Sequence, residues 1–294
     1  MLLNFKPVFR YLTNSNTTEM AEQYKKLQPL KYYKDYLIHN IRPDGRELLK
    51  YRPVVINVNS IQTADGSAIA KFGGTTVVCG IKAELCTPKA EGANKGFLVP
   101  NITLPALCSS KFRPGPPCDE AQVASQIVCN ILENSEYVNL EQLCIAYDKL
   151  AWVLYCDMIC LNYDGCLIDV CVAALSAALR TVQLPTVEYD VDTESTVVYE
   201  DKKKPLSLGI MPAAHTFSVF DDKWLLADPT EEEESLSTAM LTIVTTGEMI
   251  SLMHKPGGTP INQELVSICT SESKKRAVFI NKASEKALQS VNLL

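Results

Sequence analysis

The chain of 294 residues is short of several things, and each shortage removes a class of function. No apolar run approaches the roughly 18 to 20 residues that span a bilayer; the run from Leu150 to Leu161 stops short and contains Asp157. At the start, Leu2-Leu3 and Val8-Phe9 are separated by charge and proline, so a secretory signal is not expected, although Lys6 and Arg10 with no acid before Glu19 leave a presequence reading open. Histidine is scarce: His39, His215 and His254 stand far apart, and no CxxC pair occurs, which argues against a structural zinc site. Positive charge is also short, with 28 Lys and Arg against 34 Asp and Glu, a net charge of −6 and a pI near 5.3. A protein that gripped nucleic acid mainly by itself would carry a broad basic face, so any such contact is expected to be shared with partners.

What is present describes a well-packed intracellular protein. Hydrophobic residues make up 47% and charged residues 21%, enough to bury a large core. Eleven cysteines form an odd set lying mostly within apolar runs, which predicts buried thiols in a reducing compartment rather than a disulfide framework.

The hydrophobic period changes along the chain. A helix is expected over about Ala21 to Asn40, ended by Arg42-Pro43-Asp44-Gly45, because proline disfavours helical geometry before it. Val54, Ile56 and Val58 alternate as in a half-covered strand, Asp65-Gly66 signals a hairpin, and Thr75 to Lys82 gives the return strand. Val123, Ala124, Ile127, Val128 and Ile131 recur at helical spacing. Leu150 to Leu161 reads as a central strand buried on both faces, with Trp152 and Tyr155 in the core, and Leu167 to Val182 as an apolar helix inside the domain. Val187 to Pro205, with Lys202-Lys203-Lys204, reads as a solvated linker or hairpin tip, an RNA contact being the competing reading. Strands follow near Ala213 to Phe220, Trp224 to Ala227, Leu241 to Thr245 and Met249 to His254, with Trp224 in the core. A helix from about Ile261 is expected to bury Ile261, Leu265, Ile268 and Phe279.

Six motifs occur in one order over roughly residues 29 to 259: Tyr32-Tyr33, Arg42-Pro43-Asp44-Gly45-Arg46, Thr63 to Ala68, Gly74-Thr75-Thr76-Val77, Gly115-Pro116-Pro117 followed by Glu120 to Gln126, and Asp228-Pro229-Thr230. This order resembles the RNase PH family of phosphorolytic 3′→5′ exoribonucleases. The Gly-Pro-Pro and Asp-Pro-Thr segments are similar to those of the non-catalytic ring subunits of the eukaryotic RNA exosome. The resemblance implies an α/β (α+β) fold, RNase PH-like: two βα lobes with mixed sheets and packed helices, the ribosomal protein S5 domain 2-like arrangement. It places a disordered extension at 1–28, lobe 1 at 29–190 and lobe 2 at 206–290. Residues 1 to 19 lack any period, so the main start is expected at Met20, with the preceding stretch an extension or a gene-model artefact.

In that family, two carboxylates six positions apart hold the catalytic metal. Laid on the pattern without a gap, they fall on Glu234 and Met240, and a thioether is a poor ligand for a hard, oxygen-seeking cation. The phosphate pocket follows an Asp-Gly turn and ends in arginine; here Tyr163-Asp164-Gly165 keeps the turn and Ile168 stands at the arginine position. An aliphatic side chain offers none of the donors of a guanidinium fork. What remains for an anion is the N-terminal end of the helix from Leu167, with Asp169 opposing it. The arginine-rich helix that guides RNA in active members reads Asp119-Glu120-Ala121-Gln122. The acidic run Glu231 to Glu234 is expected to be a solvated helix start or loop, the alternative being a metal site.

These replacements leave no catalytic residue, no metal and no cofactor to expect. The function implied is a structural subunit of the exosome ring that shapes the RNA channel and recruits nucleases for rRNA maturation and mRNA turnover. Its expected partners are other RNase PH-like subunits in a hetero-hexameric ring, exosome cap proteins and RNA in the channel, with no membrane, in cytoplasm and nucleus including the nucleolus. The alternative is an active phosphate-dependent exoribonuclease. Lys111 and Arg113, flanking Phe112, are the candidate RNA-contacting residues, since cations beside an aromatic suit phosphate contact and base stacking.

Overall fold

A computed structural model describes residues 15–88, 92–190 and 195–291, with side chains from residue 21 onward. The alternating apolar residues of the first half build one sheet from β1 (Val54–Val58), β2 (Gly66–Phe72), β3 (Thr75–Cys86), β4 (Phe97–Thr103), β5 (Cys144–Ala146) and β6 (Leu150–Asn162). Its order is β1-β2-β3-β6-β4, with β5 also paired to β6; β4 runs parallel to β6 and the other pairs are antiparallel. The second half forms an antiparallel sheet, β10-β9-β11-β12, from β9 (Pro212–Phe220), β10 (Trp224–Ala227), β11 (Ala239–Thr246) and β12 (Met249–His254). The expected α+β architecture of two lobes is present.

One helix joins the two sheets. In α4 (Leu167–Leu179) every residue from Asp169 onward is buried, as its almost wholly apolar sequence requires. It packs on β2 and β3 on one side and on β9 on the other, so both lobes draw on the same core. Close approach depends on Gly66: a Cβ there would meet Val182 Cγ2 at 2.5 Å and the Ala178 carbonyl oxygen at 2.9 Å. Around this centre, α3 (Asp119–Ser135) packs on β4 and β12, and α6 (Gln263–Ser290) on β1, β9 and β11.

Several expectations change. The helix expected over Ala21 to Asn40 is two, α1 (Ser15–Leu27) and α2 (Pro29–Leu37), broken at Gln28 because Pro29 excludes the helical conformation before it. Helix α1 falls inside the stretch expected as the 1–28 extension, of which residues 1–14 lie outside the described residues. Asp65-Gly66 opens a strand rather than turning a hairpin, and the tight turn is Gly73-Gly74, with Phe72 paired to Thr75. Strand β2 escapes notice because its inward residues include the small Ala68 and Ala70. The hairpin reading of Val187 to Pro205 holds: β7 (Gln183–Asp190) pairs with β8 (Ser195–Pro205), whose residues are all exposed.

Strand β6 is buried on both faces only near its start: Ala151 and Val153 are covered, whereas Tyr155, Ile159 and Leu161 farther along the same face are 39%, 44% and 41% exposed among the described residues. Trp152 is buried as expected, and Trp224 is partly covered. Helix α6 turns a face of small residues inward, among them Cys269, Ser273, Ala277 and Ser284, and leaves Ile268 and Phe279 about half exposed. Phe279 instead stacks under the guanidinium of Arg276, which is sandwiched between it and Tyr51 at 4.7 and 4.6 Å. The described cysteines are free thiols and most are buried, and no described helix is long and apolar enough to cross a membrane.

The loop after α2 is tied to the second lobe by buried charge. Arg42 is fully buried; its Nη1 donates to the Ala227 carbonyl at 2.7 Å, its Nε to Glu233 Oε1 at 2.9 Å, and its Nη2 to the other Glu233 oxygen. Glu233 lies in α5 (Glu231–Leu236), where it also closes a capping box by accepting from the Thr230 amide. Removing one partner of such a pair strands a buried charge, which costs about 3–5 kcal/mol. Glu233→Ala is therefore expected to lower the unfolding midpoint by roughly 5–8 °C in a chain of this length, while the paired change Arg42→Met with Glu233→Leu recovers most of it. Thermal denaturation followed by circular dichroism checks both.

Candidate functional site

The Tyr163-Asp164-Gly165 turn, the start of α4, the helix α5 and the first residues of β11 meet in one cleft. The turn is pinned by Thr75, whose hydroxyl donates to the Gly165 carbonyl at 2.7 Å and accepts from the Asp164 amide at 3.0 Å. Gly165 has φ +77°, and a Cβ there would lie 2.6 Å from the Pro229 carbonyl oxygen, so only glycine lets the turn rest on the Asp228-Pro229-Thr230 segment. Arg52 locks the same junction. Its amide and Nη2 each donate to Asp228 at 2.7 Å, and its Nη1 donates to the Asp164 carbonyl at 2.7 Å and to the Asp164 carboxylate at 2.9 Å.

The three positions singled out in the sequence come together. Ile168, Glu234 and Met240 line one cavity of about 210 Å³ with Tyr163, Thr216 and Thr242. A second hollow of about 430 Å³ opens from it, sharing Tyr163, Glu234 and Met240 and adding Lys111, Glu231 and Ser235. Glu234 is partly buried and hydrogen-bonded. Its Oε1 accepts from the Cys166 amide at 2.7 Å and its Oε2 from the Tyr163 hydroxyl at 3.3 Å. Burial pushes its carboxyl up to about 7, against the opposing pull of these hydrogen bonds and of the Arg52 and Lys111 charges.

This corrects two expectations. The acidic run opens helix α5 as expected, but it is not all solvated: Glu233 is 1% exposed against Arg42, Glu234 faces the cleft, and the exposed Glu232 pairs with Lys25 and Tyr33. At the mouth of α4 the Cys166 amide is taken by the Glu234 carboxylate, so an incoming anion would meet a carboxylate already there. Asp169 does not oppose an incoming anion either; it turns inward, accepting from the Thr216 amide and hydroxyl at 2.8 Å each, and burial raises its carboxyl to about 7.

The residues do not fit a divalent cation. Beside Glu234 the second ligand position offers the Met240 thioether, and the nearby carboxylates of Asp228 and Asp169 are committed to Arg52 and Thr216. The Lys111–Arg113 loop also differs from its expectation. Phe112 is buried and meets Tyr163 edge to face at 5.4 Å, so it presents no stacking surface. Lys111 lies 2.6 Å from Glu120 and over both rings at 5.6 and 5.8 Å, while Arg113 is exposed.

The residues that organise the cleft but do not stand out by chemistry are Arg42, Arg52 and Asp228. Arg42 and Asp228 lie within recognisable motifs; only arginine's rarity in an acid-rich chain hints at Arg52.

The raised carboxyl of Glu234 gives a pH signature. A folded-state value near 7 against about 4.5 unfolded means that its stabilising share is complete below pH 4.5 and gone above about pH 7. Glu234→Gln stays neutral, so its melting temperature should equal that of the parent at pH 4.5, rise above it through pH 6, and keep a constant lead by pH 8. A lead independent of pH would refute the buried-carboxyl assignment.

The comparisons with known proteins agree with this geometry. Residues 50–185 match domain 1 of the 3′ exoribonuclease family, and residues 211–276 match its domain 2. The exosome complex component rrp43 of Schizosaccharomyces pombe is 47% identical over 254 residues, covering 86% of this chain and 94% of that one. The exosome complex component Rrp42 of Pyrococcus furiosus is 34% identical over 265 residues, covering 88% and 95%. Among solved structures, the Archaeoglobus fulgidus exosome with RNA bound to the active site aligns with a TM-score of 0.77 at 29% identity, over 86% of this chain and 96% of that chain. An archaeal exosome core aligns at 0.71 and 25% identity, over 93% and 98%. The two matched domains coincide with the two lobes that clasp the Glu234 cleft, and the chain belongs to the 3′ exoribonuclease family.

Proposed function

We propose that the chain is a non-catalytic structural subunit of an RNA exosome core ring, acting in cytoplasm and nucleus, including the nucleolus. Its relatives are exosome complex components, which supports membership of that complex. The observation that carries the non-catalytic part is the cleft itself. In a family whose chemistry calls for a metal and a phosphate clamp, the cleft holds a thioether at Met240, an aliphatic chain at Ile168 and an α4 mouth filled by Glu234. Losing a clamp or a ligand typically removes several kcal/mol of transition-state stabilisation, and about 1.4 kcal/mol is tenfold in rate, so the two losses together leave no useful turnover.

A ring role also gives a use to the uncovered side of the first sheet. Val99, Tyr155, Ile159 and Leu161 present apolar surface there, the kind of strip that a neighbouring subunit covers. RNA enters the reading through the loop before α3: Arg113 is free to reach phosphate, and Lys111 stands beside it.

Purified recombinant protein is expected to release no nucleoside diphosphate from RNA in phosphate and Mg²⁺. Release that Glu234→Gln abolishes would return the chain to the active exoribonucleases.

In cell extract the protein is expected to elute in a large complex containing other RNase PH-like subunits; a lone monomer sinks the ring assignment. Within that complex, Lys111→Glu with Arg113→Glu should leave co-elution intact and weaken ultraviolet crosslinking to RNA. The difference should shrink at high salt, because ions screen phosphate contacts and displace them. Unchanged crosslinking makes the loop a solvated turn.

A further inference from the structure

A groove runs along the outer edge of the first lobe and shares no lining residue with the Glu234 cleft. Two hollows, of about 600 and 500 Å³, share Phe97, Leu98 and Cys129, so they adjoin along β4 and α3, and the first reaches the short 3₁₀ turn Leu140–Leu143. Seven residues of β4 give it a length of roughly 23 Å at about 3.3 Å per residue. Its floor is apolar, from Phe97, Leu98, Leu132, Val138 and Leu140. Its rim carries three carboxylates, Glu133, Glu136 and Glu141, against one ammonium, Lys95.

β4 is the edge strand of its sheet, yet much of this edge is already taken. The Gly96 amide donates to the Leu140 carbonyl at 3.0 Å, the Ile102 amide donates to the Ser125 hydroxyl at 2.9 Å, and Pro100 between them has no N–H. An occupant is therefore held chiefly by its side chains, with little main-chain pairing on offer. The acidic rim repels a phosphate backbone and favours lysine and arginine, while the apolar floor takes aliphatic side chains in the two hollows.

We propose that this groove between β4, α3 and the Leu140–Leu143 turn is a docking site for a basic amphipathic segment of a partner protein. The inference rests on the ring-subunit reading in so far as the partner is one that meets the assembled complex.

The test uses two fluorescein-labelled model peptides, one of leucine and lysine and one of leucine and glutamate, titrated by fluorescence anisotropy against the full chain alone and in its assembled complex. The leucine–lysine peptide is expected to bind both and the glutamate peptide neither. The exposed triple change Glu133→Lys, Glu136→Lys and Glu141→Lys should weaken binding roughly tenfold or more. Cys129→Trp, which fills the waist shared by the two hollows, should weaken it independently of charge. Equal binding of the two peptides, indifference to the triple change, or displacement by single-stranded RNA would overturn the proposal. So would binding to the chain alone but not to the complex, since a ring neighbour would then own the groove. If no complex forms, the ring assignment fails, and the titration of the chain alone still decides the groove.

Discussion

Asp228 holds the structure at the point where its parts converge. It belongs to the second lobe, yet its carboxylate takes the amide and guanidinium of Arg52 from the first, and its carbonyl accepts from Arg42 and Arg46. Arg52 passes the connection on to Asp164 ahead of α4, and its carbonyl accepts from Arg276 of α6. The Arg52 guanidinium holds the Asp228 carboxyl below its ordinary range despite burial. The geometry is demanding: Asp228 and Cys166 both sit at φ +52°, where a side chain is uncomfortable, and they stay there because the surrounding bonds fix them. Charged groups taken from water need such complete pairing, since their desolvation is repaid only when their donors and acceptors are matched.

The cleft beside this junction is walled by arrangements that serve the fold. Gly165 against Pro229, the Thr75 pin and the capped α5 are backbone arrangements that both lobes need in order to meet. Side chains that only touched a reacting ligand carry no such duty. Ile168 packs against the core, and Met240 lines the cavity wall. Glu234 remains because it now satisfies the Cys166 amide and the Tyr163 hydroxyl.

Much of the fold was legible in the sequence where one lobe buries one face. The strands Trp224–Ala227 and Met249–His254 match their hydrophobic runs residue for residue, and α4 follows from its apolar composition. Legibility failed where period alone does not say what covers a face. Tyr155, Ile159 and Leu161 look like core and are exposed, and α6 buries serines and alanines in place of Phe279 because it lies close against the strands. At the site, spacing found Ile168, Glu234 and Met240, which do converge. It missed the inward turn of Phe112 and of the acidic run, because each depends on partners, Tyr163 and Arg42, that lie far along the chain.

Helix α4 has a mechanical meaning. Domains joined by a linker swing because little is lost when they part. Here the two lobes share a single buried helix, wedged between β2 and β3 on one side and β9 on the other. Opening the cleft like a hinge would expose that helix to water along its whole length. The subunit is therefore a stiff block, and a passage walled by such blocks has a bore set by their shape, not by their motion.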